Sequence, residues 1–306
     1  MGGSGGGGGY RSLRPEVKRL VAQARATEAE RLNTQVNDYL AEVLIAFNGR
    51  DADLMNKRLD GLSSALDDVV EIDKVLLGGS VAKHTDVDGI SDVDALVVLN
   101  RADLVGKSPE EVRAAFHAEL DAKLDRSEVA SVRHGQMAVT VVYKDGMEIQ
   151  LLPAMLSAKK VVIGDAGGSH WVEIKPKRFQ SALTDANKRL GGTLVPAIKL
   201  LKSINADLPS QKQVKSYHIE AMAVDAAKGY GGPMVPRAIL VHLCQHAADR
   251  VLRPITDVTG QSRRVDEYLG DANSAQRRLA AQALAGIGRR LEAASSLDEW
   301  KAIFGE

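Results

Sequence analysis

Residues 78–99 read GGSVAKHTDVDGISDVDALVVL, and the fold is decided in this stretch. A Gly-Gly-Ser turn follows the short apolar strand Val75-Leu76-Leu77, and an Asp-x-Asp pair opens the next strand, Asp94 to Leu99. Gly78 and Gly79 carry no Cβ, so the backbone there can come close to a polyphosphate. Ser80 is expected to open a helix, where free N–H groups and a hydroxyl favour anions. Asp92 and Asp94 are two apart on a strand, so their carboxylates point to the same side. Two carboxylates facing one way suit hard divalent cations, and two such metals roughly 3.5–4 Å apart clamp the attacking and leaving oxygens of a displacement. The apolar run Leu96-Val97-Val98-Leu99 ties the pair to a buried strand.

Outward from this block, apolar spacing predicts a long helix over 15–48, stopped at Asn48-Gly49, and a shorter helix over 51–69. Ser108-Pro109-Glu110-Glu111 has capping-box residues and starts a helix running to about 125. Strands are expected at 128–133, 137–143 and 147–152, the last two joined by an Asp145-Gly146 turn. Helices are expected at 177–190, 194–206, 215–228, 235–250, 274–294 and 297–304. The fold class is therefore α+β: a mixed-sheet lobe with helices on one side and an all-helical lobe. The expected division is a flexible Gly-rich tail at 1–14, a catalytic domain at 15–165 and a helical domain at 166–306, with the change falling near 157–176.

The composition is that of a globular protein, with 44% hydrophobic and 26% charged residues in 306. Forty Lys plus Arg balance forty Asp plus Glu, so no global charge draws the chain to nucleic acid or an anionic membrane. Aromatics at 4% argue against a stacking platform for single strands. The single cysteine, Cys244, excludes a disulfide framework and suits a reducing cytoplasm. No stretch has the length of a membrane span. His242 and His246 share a helical face, but no further Cys or His follows at zinc spacing. The pairs Arg263-Arg264, Arg277-Arg278 and Arg289-Arg290 read as solvated faces or, less simply, an acceptor or RNA groove.

The pattern Gly79-Ser80, Thr85, Ser91-Asp92-Val93-Asp94 resembles the polymerase-beta-like nucleotidyltransferases, and most of all the bacterial cGAS/DncV-like enzymes (CD-NTases) that make oligonucleotide signals in antiphage defence. The long first helix is similar to their spine helix, Leu151-Leu152-Pro153-Ala154 to their Pro-Ala strand, and Ile198 to Lys202 with Ser216-Tyr217-His218-Ile219-Glu220 to the helical segment holding a triphosphate. The resemblance covers roughly 15–250. It implies an active site in the cleft between the lobes, a nucleoside triphosphate substrate, two Mg2+ ions (or Mn2+), and pyrophosphate release. It also implies a cytoplasmic enzyme whose cyclic or linear product is read by an effector protein. Gly79, Ser80, Gln150, Lys202, Ser216 and Tyr217 would then bind nucleotide, with Lys202 on the triphosphate, Ser216 hydrogen-bonding it and Tyr217 stacking on the base.

In one place the chain departs from that family, which usually has an Asp three residues before the Pro of its Pro-Ala strand. Here that residue is Gln150, neutral and unable to take a proton. Glu148 lies on the same strand face, so the expected catalytic and metal-binding set is Asp92, Asp94 and Glu148, with Gln150 beside it. Three other readings stay open: transfer to an RNA end, transfer to a protein hydroxyl, and a catalytically dead nucleotide sensor. The first leaves nucleic acid open as a partner.

Overall fold

The computed structural model describes residues 14–100, 106–157, 160–165, 167–259 and 262–306. The expected Gly-rich tail lies, but for Arg14, outside them. Seven strands form one sheet: β1 (Ile72–Leu77), β2 (Val93–Leu99), β3 (Val129–His134), β4 (Val139–Tyr143), β5 (Glu148–Ser157), β6 (Lys160–Gly164) and β7 (Trp171–Ile174). The path is β1-β2-β5-β4-β3, with β6 on the far half of β5 and β7 beyond it. Among the described residues only β2 and β5 run parallel, and they pair from Val93↔Ile149 to Leu99↔Met155.

Alternation sorts β2. Val93, Ala95, Val97 and Leu99 are buried with Ile149 and Leu151 of β5. Against them lie Met55, Leu59, Leu62 and Leu66 of α2 (Ala52–Leu66) and Val112, Phe116 and Leu120 of α3 (Pro109–Lys123). Both helices start on side-chain caps. Asp51 accepts from Leu54 N–H at 2.9 Å. Ser108 accepts from Glu111 N–H at 3.2 Å while Glu111 accepts from Ser108 N–H at 2.7 Å, the reciprocal box expected from the sequence. The opposite sheet face carries Asp94 and Gln150, then a small apolar cluster around Val98, Ala154 and Ile163.

The second lobe is helical: α4 (Pro176–Arg189), α5 (Leu194–Ala206), α6 (Ser216–Ala226), α7 (Pro236–Arg250), α8 (Ala275–Ala293) and α9 (Leu297–Ile303). The long helix α1 (Pro15–Phe47) belongs to its core, with Val36, Tyr39 and Leu40 buried among α5, α7 and α9. The expected stripe on α1 engages only from Leu32 onward; Leu20 is 66% exposed. The sheet continues past residue 165, because β6 and β7 form a hairpin on β5 within the stretch expected to be a boundary. No helix among the described residues is long and apolar enough to cross a membrane.

Candidate active site

The link from β1 to β2 folds tightly over β2. Gly78 N–H donates to Asp94 O at 2.7 Å. Gly79 has φ +50°, and a Cβ there would stand 1.5 Å from Asp94 Oδ2. Glycine is required twice over, for a left-handed backbone and for room, and the space it leaves is filled by the carboxylate of Asp94. Ser80 follows, nearly buried, with its carbonyl accepting from Lys83 and Thr85 N–H at 3.1 and 3.0 Å. The helix expected to open there is a single 3-10 turn, Val81–Lys83, and the Ser80 hydroxyl does not cap it. Anion binding at this turn would thus rest on individual N–H and O–H donors, since a macrodipole needs a longer helix.

Asp92 and Asp94 share one side of the strand end. Burial, then the charge of Glu148, raises the pKa of Asp92 despite a 2.5 Å hydrogen bond from Gln150 Nε2 to Asp92 Oδ2. Burial, then the charge of Asp92, raises Asp94 to about 6. Among the described residues no hydrogen bond or ion pair reaches the Asp94 carboxylate. Two half-buried carboxylates therefore repel each other beside a turn of open backbone, which is an arrangement that a cation relieves.

Gln150 is paired with Asp94 across the parallel strands. Glu148 is on the same strand face but is ion-paired with Arg133 of β3. Among the described residues no three His, Cys, Asp or Glu side chains are gathered to hold a metal as they stand.

The structure gives Lys202 protein partners of its own. Its ammonium is buried in the core, 2.7 Å from Glu220 Oε1 and 2.9 Å from the Thr85 carbonyl, and presents no charge to a cleft. Glu220 also accepts from Thr85 Oγ1 at 2.6 Å and from Lys83. Burial pushes Glu220 up, and the two lysines more than offset it, so its pKa is lowered. Burial likewise lowers Lys202, with Glu220 opposing. Lys83 is the more accessible lysine of the knot, with 13% of its side chain exposed.

This knot fastens the 78–92 link to α5 and α6, and Gln180 Nε2 adds a 3.0 Å bond to Ala82 O. Ser216 is exposed at the start of α6. Tyr217 is half-buried, edge-on to Phe179 with centroids 4.8 Å apart. Its hydroxyl donates to Asp257 Oδ1 at 2.8 Å, and Lys83 Nζ lies 5.1 Å from its ring centre. Asp94, Gly79, Ser80, Gln150 and Asp92 are thus brought together, Lys83 links them to Tyr217, and Lys202 lies behind.

Lys83, Glu220 and Arg133 were not among the expected site residues. A lone acid in the apolar run His218-Ile219-Glu220-Ala221-Met222 was the available signal for a buried ion pair. The other candidates resolve simply. Cys244 is buried, its thiol pushed up to about 12 by burial. His246 contacts Asp225 and His242 the Ala226 carbonyl. Arg277 is no surface residue: it is fully buried on Asp266 at 2.7 Å, which removes it from any groove.

No protein-family model matches the chain, and no curated protein matches it in sequence. Solved structures do. The Bradyrhizobium diazoefficiens CD-NTase CdnG, solved with GTP, is 15% identical with a TM-score of 0.67, over 88% of this chain and 94% of that one. The Vibrio cholerae di-nucleotide cyclase DncV, solved with ATP and GTP, is 12% identical with a TM-score of 0.61, over 96% and 92%. E. coli MS115-1 CdnC, solved with ATP, is 16% identical with a TM-score of 0.59, over 83% and 91%. The chain has the CD-NTase fold. The turn at Gly78-Gly79-Ser80 follows β1 of the sheet and is tied through Lys83 and Thr85 to the helical lobe.

Proposed function

We propose that this chain is a divalent-cation-dependent nucleotidyltransferase that joins nucleoside triphosphates. The observation that carries the reading is the Asp92–Asp94 pair, set against Gly79 with both pKa values raised and, among the described residues, no hydrogen bond or ion pair on the Asp94 carboxylate. The donor set fits Mg2+: oxygen-only, anionic, and mutually repelling without a cation. Asp92 and Asp94 would hold it, with Glu148 as the third carboxylate and Gln150 steadying Asp92. The bound ions, two Mg2+ or Mn2+, supply charge neutralisation to the attacking hydroxyl and the leaving pyrophosphate.

The chain's own residues do the rest. Ser80 Oγ and the backbone N–H groups of the 78–80 turn face the triphosphate, and Ser216 at the exposed start of α6 offers a second hydroxyl. Tyr217, fixed by Asp257 and Phe179, offers the base a ring held in place. Lys83 and Lys202 both pair with Glu220, and Lys83, the more exposed of the two, takes the place of Lys202 as the cation nearest the phosphates. A ribose hydroxyl of a second nucleotide attacks the α-phosphorus, and pyrophosphate leaves. GTP- and ATP-bound neighbours of the same fold support the nucleotide class, and DncV, a di-nucleotide cyclase, supports a cyclic or linear oligonucleotide product. Such a product serves a cytoplasmic antiphage signal read by an effector protein.

Incubation with all four ribonucleoside triphosphates and Mg2+, followed by mass spectrometry of solution and protein, tests this. The expected result is a joined nucleotide with stoichiometric pyrophosphate, lost in Glu148→Gln and partly kept in Gln150→Glu. A mass increase on the protein or on added RNA instead assigns a macromolecular acceptor. Gln150, together with the engagement of Glu148 by Arg133, favours one second reading, a nucleotide sensor. A chain that binds triphosphate and is inert with every nucleotide and metal establishes it.

A further inference from the structure

Strand registers put four polar side chains in one row across the sheet. Arg133 of β3 faces Thr140 of β4, Thr140 faces Gln150 of β5, and Gln150 faces Asp94 of β2. Residues directly opposite in a sheet project to the same side, so the row leads from the carboxylate pair to the sheet edge. Arg133 ends it, its side chain 56% exposed and its guanidinium on Glu148, which is 30% exposed. We infer that Arg133 is the site for the phosphate of the acceptor, and that a phosphate taking Arg133 releases Glu148 to turn onto the Asp92–Asp94 pair. This rests on the reading of Glu148 as the third carboxylate.

The chemistry of the exchange is direct. A guanidinium presents the same fork of donors to a carboxylate or a phosphate, and a phosphate brings more charge and a third oxygen. A nucleotide whose ribose hydroxyl sits at Asp92 and Asp94 carries its 5′ phosphate away from that hydroxyl, and the row gives it a polar course ending at Arg133. Glu148 is already close enough to Asp92 to raise its pKa, yet its carboxylate is paired with Arg133. The site is thus left one ligand short until an acceptor arrives. That arrangement suppresses the idle reaction in which water attacks the α-phosphorus and releases a nucleoside monophosphate and pyrophosphate.

Mn2+ binding to the full chain without nucleotide, followed by electron paramagnetic resonance, tests the exchange apart from turnover. Arg133→Met should bind Mn2+ roughly tenfold tighter than the parent, because a third carboxylate is freed. Arg133→Gln, an independent replacement, should do the same. In a Glu148→Gln background either change should give no gain. Adenosine 5′-monophosphate should raise the Mn2+ affinity of the parent and leave that of Arg133→Met unchanged. With triphosphates, Arg133→Met should shift output from joined product toward monophosphate plus pyrophosphate. The inference is overturned if the Mn2+ gain is absent, if it survives undiminished in the Glu148→Gln background (a general loss of positive charge), or if the monophosphate has no effect on the parent. A parent inert toward triphosphates that still shows the full Mn2+ cycle sinks the transferase reading and leaves the exchange standing.

Discussion

Glu220 and the Asp92–Asp94 pair lie in one neighbourhood, joined through Lys83, and the protein treats them in opposite ways. Glu220 is fully buried, yet Lys202, Lys83 and the Thr85 hydroxyl converge on it, and its pKa is lowered. Asp94 is less buried, but its neighbours are another carboxylate and a bare turn, and its pKa is raised to about 6. Burial alone therefore does not tell a neutralised acid from one left without a partner. The satisfied carboxylate closes a joint between the lobes. Asp92 has one hydrogen bond, from Gln150, and among the described residues no hydrogen bond or ion pair balances the charge of Asp94.

The sharpest test of that contrast is the double variant Asp92→Asn, Asp94→Asn. Pyrophosphate release should fall at least roughly a thousandfold, since the charge that holds metal is gone, while the thermal midpoint stays level or rises. Full activity, or collapse of the fold, would break the contrast from the functional side.

Glu220→Gln attacks it from the structural side. Lys202 would be left buried without its counter-charge, and the chain should lose roughly 3–5 kcal/mol in denaturant unfolding. A loss below about 1 kcal/mol would mean that the knot is ornamental.

A smaller effect comes from pH. Because folding raises Asp94 above its unfolded value near 4, the native state holds the proton more tightly between about pH 4 and 6. Metal-free stability should accordingly fall as pH rises through that window, by on the order of 2–3 kcal/mol from this residue, and stay low above it. Asp94→Asn should flatten the profile, and added Mg2+ should restore stability at pH 7. A profile unchanged by the substitution would remove the claim that Asp94 is frustrated. The smallest effect is expected at Ser80→Ala, where one hydrogen bond to a charged group is lost and nucleotide affinity falls by about 1 kcal/mol in a binding titration.

The parts of this molecule legible in the sequence are those governed by local rules. The period of two on β2 put Asp92 and Asp94 together on one side, and the capping box at Ser108 and Glu111 began α3 where expected. What stayed hidden depends on long-range closure. Lys202 looked like a phosphate ligand because nothing nearby shows that Thr85, more than a hundred residues earlier, and Glu220, on the next helix, will enclose it. The hairpin β6–β7 is hard to read because its strands are short and the sequence between them is Gly-rich, in the manner of a linker. Arg133 lay on an exposed edge strand, where a charged side chain is the ordinary expectation.

The docking of α1 into the helical core bears on how the protein is made. Tyr39 packs edge-on against Phe304, centroids 6.1 Å apart, so this helix completes its contacts only with a side chain synthesised more than two hundred residues later. At a translation rate of about 5–20 residues per second, that wait is on the order of tens of seconds. For that time Val36, Tyr39 and Leu40 have no finished surface to cover them. A nascent chain stalled before α9 would hold its sheet and its Asp92–Asp94 strand already complete, yet would still show chaperones and proteases an uncovered apolar stripe. Quality control on the ribosome would thus act on α1 long after the residues for chemistry are in place.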